Sequence, residues 1–243
     1  MTVAGAAPAV AEWNEPEGIA PRGTVTVIPG RGEHPGVYER FGRRIAADGY
    51  RVRAVSDPTV DEARTRDQVR DAVGPEPRVL VGSDSGALFA AGLAATEPGV
   101  AGLVLAGLVT DGGGLPGESW DDELDARTAC PTHRGRLTDD GGVRRGALAH
   151  AVPSEWFALA RPEAIEVPVL GVHGADDVVS PLAAARSWYG RLPSGELVSI
   201  AGGRHDALND QTHRTAAATV VLFLERLRLG VDAPALARSE DLR

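Results

Sequence analysis

Short apolar runs rich in β-branched residues alternate along the chain with segments of helical spacing, and this rhythm constrains the fold more than any other feature. Residues 23–28, 50–55, 78–82, 100–109, 167–172 and 196–200 read as strands, and 37–48, 60–73, 86–95, 181–191 and 209–229 as helices. A repeating strand–helix order implies right-handed crossovers and a mostly parallel sheet with helices on both faces. Sites in such sheets form where loops leave the carboxyl ends of the strands. Between 111 and 163 the rhythm fails: a glycine run, a Trp/acid cluster and short irregular pieces replace the strands. The expected organisation is an α/β core made of residues 1–110 and 164–243, with residues 111–163 inserted as a small cap.

Charge and residue usage exclude several chemistries. A formal charge of -9 with no basic run argues against a nucleic-acid partner, because backbone binding needs clustered cations. Every basic residue is Arg, so a lysine Schiff base or a phosphate-loop lysine is excluded. One cysteine, Cys130, permits neither an internal disulfide nor a thiolate metal cluster. A reducing compartment, the cytoplasm, is the expected location. The Ala-rich start lacks a basic leader, and no stretch approaches the ~20 apolar residues of a membrane span.

The most informative turn is Val81-Gly82-Ser83-Asp84-Ser85-Gly86-Ala87, which follows a strand and opens a helix. Small residues flanking an apex residue are the pattern of a nucleophile elbow, in which a strained turn aims one side chain above the sheet. With Gly82 and Gly86 as flanks the apex is Asp84; with Ser83 and Ala87 it is Ser85. The first frame is preferred, since glycine stands at both flanks and the distance from Val81 matches. A plain loop in which Asp84 or Ser83 caps the helix is the bland alternative.

Two later turns strengthen the elbow reading. His173-Gly-Ala-Asp176-Asp177 and Gly202-Gly-Arg-His205 each follow a strand, giving the chain order apex, acid, histidine. His205 is the candidate base and Asp177 its acid, with Asp176 and Asp111 as competitors. The first strand ends in Pro29-Gly30-Arg31-Gly32-Glu33-His34, where the backbone N–H of Arg31, opposite that of Ser85, would form an oxyanion hole. A dinucleotide fingerprint fails there, because no third glycine follows in place.

In this order the chain resembles the α/β-hydrolase family, on the side of the monoglyceride-lipase and lysophospholipase-like branch. The likeness rests on Pro29 to His34 with Tyr38, on Gly82 to Gly86, on His173 to Asp177 and on Gly203-Arg-His205, and spans about 23–229. It implies Asp84 at the nucleophile position, His205 as base and Asp177 as acid. The branch uses serine where this chain has aspartate; aspartate at that position is the usage of epoxide hydrolases and haloalkane dehalogenases of the same fold.

A carboxylate nucleophile favours saturated electrophiles, because attack on an acyl ester would give a mixed anhydride, whereas attack on a saturated carbon gives an ordinary ester. The expected reaction is therefore hydrolysis of a small organic molecule through an alkyl ester on Asp84, opened by a water that His205 activates, with no cofactor and no metal. Two alternatives stand: a serine esterase using Ser85, and a non-hydrolytic lyase, cyclase or binding protein of the same fold. An acid for a leaving alkoxide is not obvious, since 111–163 contains no tyrosine. His34, Trp120, Cys130, His133 and Trp156 are the candidate pocket residues, although the tryptophans also suit a cap core and His133 a packing role. Nothing in the sequence identifies a substrate.

Overall fold

The computed structural model describes residues 9–112, 114, 119–230, 233–234 and 236–237. Most of the Ala-rich leader and the end of the chain therefore lie outside the described residues.

Seven strands form one sheet: β1 (Ala11–Trp13), β2 (Thr24–Ile28), β3 (Arg51–Ala54), β4 (Arg78–Ser83), β5 (Val100–Ala106), β6 (Val169–Gly174) and β7 (Gly195–Ile200). Their order is β1-β3-β2-β4-β5-β6-β7. All neighbours are parallel except β1, which pairs antiparallel with β3. The helices that cover the sheet are α1 (Glu39–Ala47), α2 (Glu62–Arg70), α3 (Ser85–Leu93), α7 (Leu182–Tyr189) and, after the last strand, α8 (His213–Leu229). Strand periodicity divides the core in two. Val79, Val81, Val104 and Ala106 face one way, onto Phe41, Ile45, Phe223 and Leu224 of α1 and α8. Leu80, Leu103 and Leu105 face the other way, onto Leu88 and Phe89 of α3 and Ala185 and Trp188 of α7. The mostly parallel, two-faced α/β architecture expected from the rhythm is what the chain adopts.

Three expectations need correction. The first strand, β1, lies ahead of the first run assigned as a strand from the sequence, because three residues without a β-branched run carry no strand signal. It is held instead by its ladder to β3 and by Trp13, whose ring packs so closely on α1 that a Cβ at Gly42 would lie 2.1 Å from it. The segment between β5 and β6 is more regular than expected and contains α4 (Trp120–Arg127), α5 (Pro131–Asp139) and α6 (Ser154–Leu159). Ser119 and Asp122 form a reciprocal capping box on α4, and Pro131 opens α5 at a position where its missing N–H is not needed. The last helix also starts later than its pattern, at His213, because Asp210 is occupied in joining Thr128, Ala129 and Arg204.

The turn between β4 and α3 decides where the chemistry sits. A Cβ at Gly82 would lie 2.3 Å from the Gly86 carbonyl oxygen, and one at Gly86 would lie 2.3 Å from the carbonyl oxygens of Ile28 and Pro29. Only glycine permits both approaches. Gly86→Ala is expected to destabilise the protein by at least about 3 kcal/mol, the upper part of the overpacking range, because the new methyl meets backbone that cannot rotate away. A chemical-denaturation midpoint left unchanged by Gly86→Ala would show that α3 does not press on the end of β2 in this way.

Candidate active site

Asp84 has φ 52 and ψ -123, and it is the one non-glycine residue with positive φ among the described residues. An L-residue is strained there, and such strain persists only where the surroundings impose it. Here the two glycine contacts impose it, which settles the frame of the turn: Gly82 and Gly86 are the flanks and Asp84 the apex. Ser85 is the first residue of α3, and its buried Oγ has no hydrogen-bond partner among the described residues.

Three turns at the carboxyl ends of β4, β6 and β7 bring Asp84, Asp177 and His205 together. His205 Nδ1 lies 2.8 Å from Asp177 Oδ2 and its Nε2 lies 3.0 Å from Asp84 Oδ1. Carboxylate oxygens only accept, so both ring nitrogens donate and the ring is an imidazolium. Burial alone would drive the His205 proton off, but the Asp177 and Asp84 carboxylates override it and raise the pKa to about 10. Asp177 is kept ionised in the same way: burial opposes the charge, His205 outweighs it, and the Asp177 carboxylate also accepts from the Val179 and Ser180 backbone N–H groups. Asp176 is exposed and Asp111 lies on an exposed turn, so it is Asp177 that faces the histidine.

The unforeseen member of the group is the side chain of Arg31. Its Nε donates to Asp84 Oδ2 at 2.9 Å and its Nη2 to Oδ1 at 2.8 Å, while its backbone N–H also donates to Oδ2 at 2.8 Å. The remaining amino group reaches the insertion, donating to the carbonyls of Leu148 and His150. Asp84 has no solvent-accessible surface. Burial would raise its pKa, but Arg31 and then His205 hold it well below the usual carboxylate range. Both oxygens thus carry two donors each. The sequence offered one signal for this, a lone arginine between Gly30 and Gly32, and the expectation used only its backbone N–H.

The insertion also grips the Arg31 loop from other sides. Arg144 N donates to Gly32 O and Arg127 Nη2 donates to Arg31 O, while Gly32 N donates to Asp57 in the loop after β3. Gly32 has φ +77, and a Cβ there would lie 2.5 Å from that of Ala147.

Behind His205 lies a second buried group that sequence reasoning missed. Arg127 Nη1 is 3.8 Å from Glu33 Oε1 and 3.6 Å from Asp206 Oδ1, and Asp206 Oδ2 is 3.0 Å from His133 Nε2. Tyr38 donates to Glu33. Burial and the neighbouring Asp206 push the Glu33 pKa up to about 7. Ligand atoms of Glu33, His133 and Asp206 come within 4.8 Å of one another, but the Arg127 guanidinium already supplies positive charge between them.

The five candidate pocket residues have partners elsewhere. His34 caps the short turn at Pro35–Tyr38 by accepting from Gly36 N, and its Nε2 lies 2.9 Å from Asp140. Trp120 donates to Thr138 and lies under Arg145. Trp156 packs on Phe89 with ring centroids 4.9 Å apart and donates to Glu62, so it is anchored to α3 and α2 and does not form a core of the insertion. Cys130 is buried beside Arg40. His133 lines a cavity of about 500 Å³ between α1 and α5, together with Val37, Arg40, Pro131 and Arg136.

A monoacylglycerol lipase from Paleococcus ferrophilus superposes with a TM-score of 0.72 at 21% identity, covering 88% of this chain and 97% of that one. A monoglyceride lipase from Saccharomyces cerevisiae gives 0.71 at 15% identity over 90% and 91%. An enol-lactonase from Burkholderia xenovorans gives 0.65 at 18% identity over 89% and 95%. The chain has the α/β-hydrolase fold. No family model matches its sequence, and no curated protein does. Among the described residues no helix is long and apolar enough to cross a membrane.

The charge on His205 can be read directly. A histidine whose folded pKa is raised adds stability fully below its unfolded value of about 6.5 and loses it as pH climbs through the folded value. For His205 that window runs from about 6.5 to about 10. In an NMR titration the His205 ring is expected to stay charged through neutral pH, and Asp84→Asn, which removes one of its two anions, to lower its midpoint. A ring that titrates near pH 6.5 in the unaltered protein would contradict the double-donor arrangement.

Proposed function

We propose that the chain is a cofactor-independent hydrolase of a small organic molecule, with Asp84 as nucleophile, His205 as proton carrier and Asp177 as its orienting acid. One observation carries the reading: the strained apex of the elbow is an ionised aspartate whose Oδ1 lies 3.0 Å from the donor nitrogen of His205. In this reading residues 111–163 are the cap over a core of 1–110 and 164–243, and the N–H groups of Arg31 and Ser85 are the oxyanion donors.

The imidazolium suits an electrophile whose leaving oxygen needs a proton, such as a strained cyclic ether. An Asp84 oxygen attacks the saturated carbon and the ring C–O bond breaks. The alkoxide takes the Nε2 proton of His205, which supplies the acid that the tyrosine-free insertion lacks. Asp84 is now a neutral ester, so His205 keeps only one carboxylate partner and stays neutral long enough to accept a proton from water. That water adds to the ester carbonyl, and the Arg31 and Ser85 N–H groups hold the oxyanion as it forms. Collapse releases a diol and returns both Asp84 and the imidazolium to their starting states. The product carries one oxygen that came from Asp84.

A second reading is favoured by one feature. The Arg31 side chain occupies both Asp84 oxygens, as would suit an acid–base pair serving a non-hydrolytic lyase or cyclase. A serine esterase using Ser85 has less support, since the His205 nitrogen faces Asp84 and not that hydroxyl.

Epoxide turnover is expected to fall by about ten-thousandfold or more in Asp84→Asn, the scale seen when a covalent nucleophile is lost. In His205→Gln the ester should accumulate on Asp84, visible by intact mass and peptide mapping. A single turnover in heavy-oxygen water should place the label in Asp84 rather than in the first product molecule. Full turnover by Asp84→Asn would end the nucleophile reading, and a His205-dependent fluorophosphonate adduct on Ser85 would move the role there.

A further inference from the structure

The four donors on Asp84 pose a difficulty for any nucleophilic role. A carboxylate has about four lone-pair directions, and Arg31 Nε, Nη2 and N–H together with His205 Nε2 fill that number. An oxygen so occupied has no electron pair to offer, so attack requires a donor to leave. The backbone N–H of Arg31 is fixed by the loop that the insertion grips, and His205 is held from behind by Asp177. The movable donors are the side-chain nitrogens of Arg31.

Arg31 cannot leave Asp84 for nothing. It is almost wholly buried, and its remaining bonds are to the neutral carbonyls of Leu148 and His150. Once Asp84 becomes an ester, the buried guanidinium has lost its counter-ion. A buried arginine fork is matched by another planar anion better than by any neutral group.

We propose that Arg31 is the substrate-selecting residue: it hands its Nε/Nη2 fork from Asp84 to a carboxylate carried by the substrate, next to the carbon that Asp84 attacks. This rests on the nucleophile reading above and adds a substrate class to it, small carboxylates with an electrophilic carbon adjacent to the carboxyl group. The exchange does two things at once. It frees an Asp84 oxygen only when the right anion is present, and it keeps the guanidinium paired after the ester has formed. The adjacency follows from the fork itself, because the nitrogens that would bind the anion now touch the oxygens that attack. The Leu148 and His150 carbonyls stay as the fixed end of the side chain about which the fork turns.

Bromoacetate and its uncharged isostere bromoacetamide test this. Asp84 displaces bromide from the methylene carbon, a C–Br bond is exchanged for a C–O bond, and bromide leaves with the electron pair. The His205→Gln protein retains the ester for peptide mapping, and each labelling rate is normalised to the reagent's rate with free acetate. Asp84 should be labelled about a hundredfold faster by bromoacetate, the scale of a desolvated bond to a charged group. Adding Arg31→Gln should bring the ratio close to one. Arg31→Lys, which keeps the charge and loses the fork, should give an intermediate ratio and serves if Arg31→Gln fails to fold. Equal labelling by both reagents in the His205→Gln protein overturns the anion proposal and leaves the nucleophile standing. A preference that survives the Arg31 substitutions overturns the role of Arg31. Labelling at Asp84 by neither reagent removes the nucleophile reading, and this proposal with it.

Discussion

Two carboxylates, one imidazolium and one guanidinium are buried together at the end of the sheet, and their mutual neutrality is the condition on which the site depends. An isolated carboxylate in such a place would be protonated, because water no longer solvates its charge. Asp84 and Asp177 stay ionised because His205 bridges them and Arg31 clamps the outer face of Asp84. Removing any one of the four leaves an unpaired buried charge, which is far more damaging than the loss of a surface pair. The four residues come from loops after four different strands, so the charge balance also ties the loop ends together.

In the proposed mechanism that balance gives the histidine two roles. Between two anions it carries a proton and serves as an acid; beside one anion and one neutral ester it is neutral and serves as a base. The proposed switch needs no movement of the ring, only the disappearance of one negative charge at Asp84. The second buried group, with Arg127 between Glu33 and Asp206, is linked to the first, since Asp206 follows His205 in sequence and Arg127 also donates to the Arg31 carbonyl. The insertion therefore contributes a cation behind the site as well as carbonyl acceptors above it.

Much of this was legible in order along the chain. The strand–helix rhythm, the glycines at 82 and 86, and the sequence of apex, acid and histidine all depend on local properties: side-chain period, backbone reach and turn geometry. The choice between Asp84 and Ser85 as apex was nearly legible, and the close approaches of the two flanking glycines to neighbouring backbone decided it. The preference for Asp177 rested on the family resemblance, and the local pattern left Asp176 open. Adjacent residues on a turn point in different directions, and only the packed position of His205 selects one of them. The packing of Trp156 on Phe89 was hidden for a similar reason, since a tryptophan in such a segment looks the same whether it packs on its own segment or on α3.

By itself the sequence determined the class of sheet, the order of its elements, the strained turn and the absence of lysine chemistry, because each of these follows from residues close together in the chain. The tertiary structure alone decided that the Arg31 side chain closes on Asp84, that His205 meets two carboxylates, and that Arg127 stands behind them. Those contacts join residues from 28 to 121 positions apart. No local pattern encodes a charge pairing across such distances; it exists only once the strands have aligned their carboxyl ends and burial has made every unpaired charge untenable.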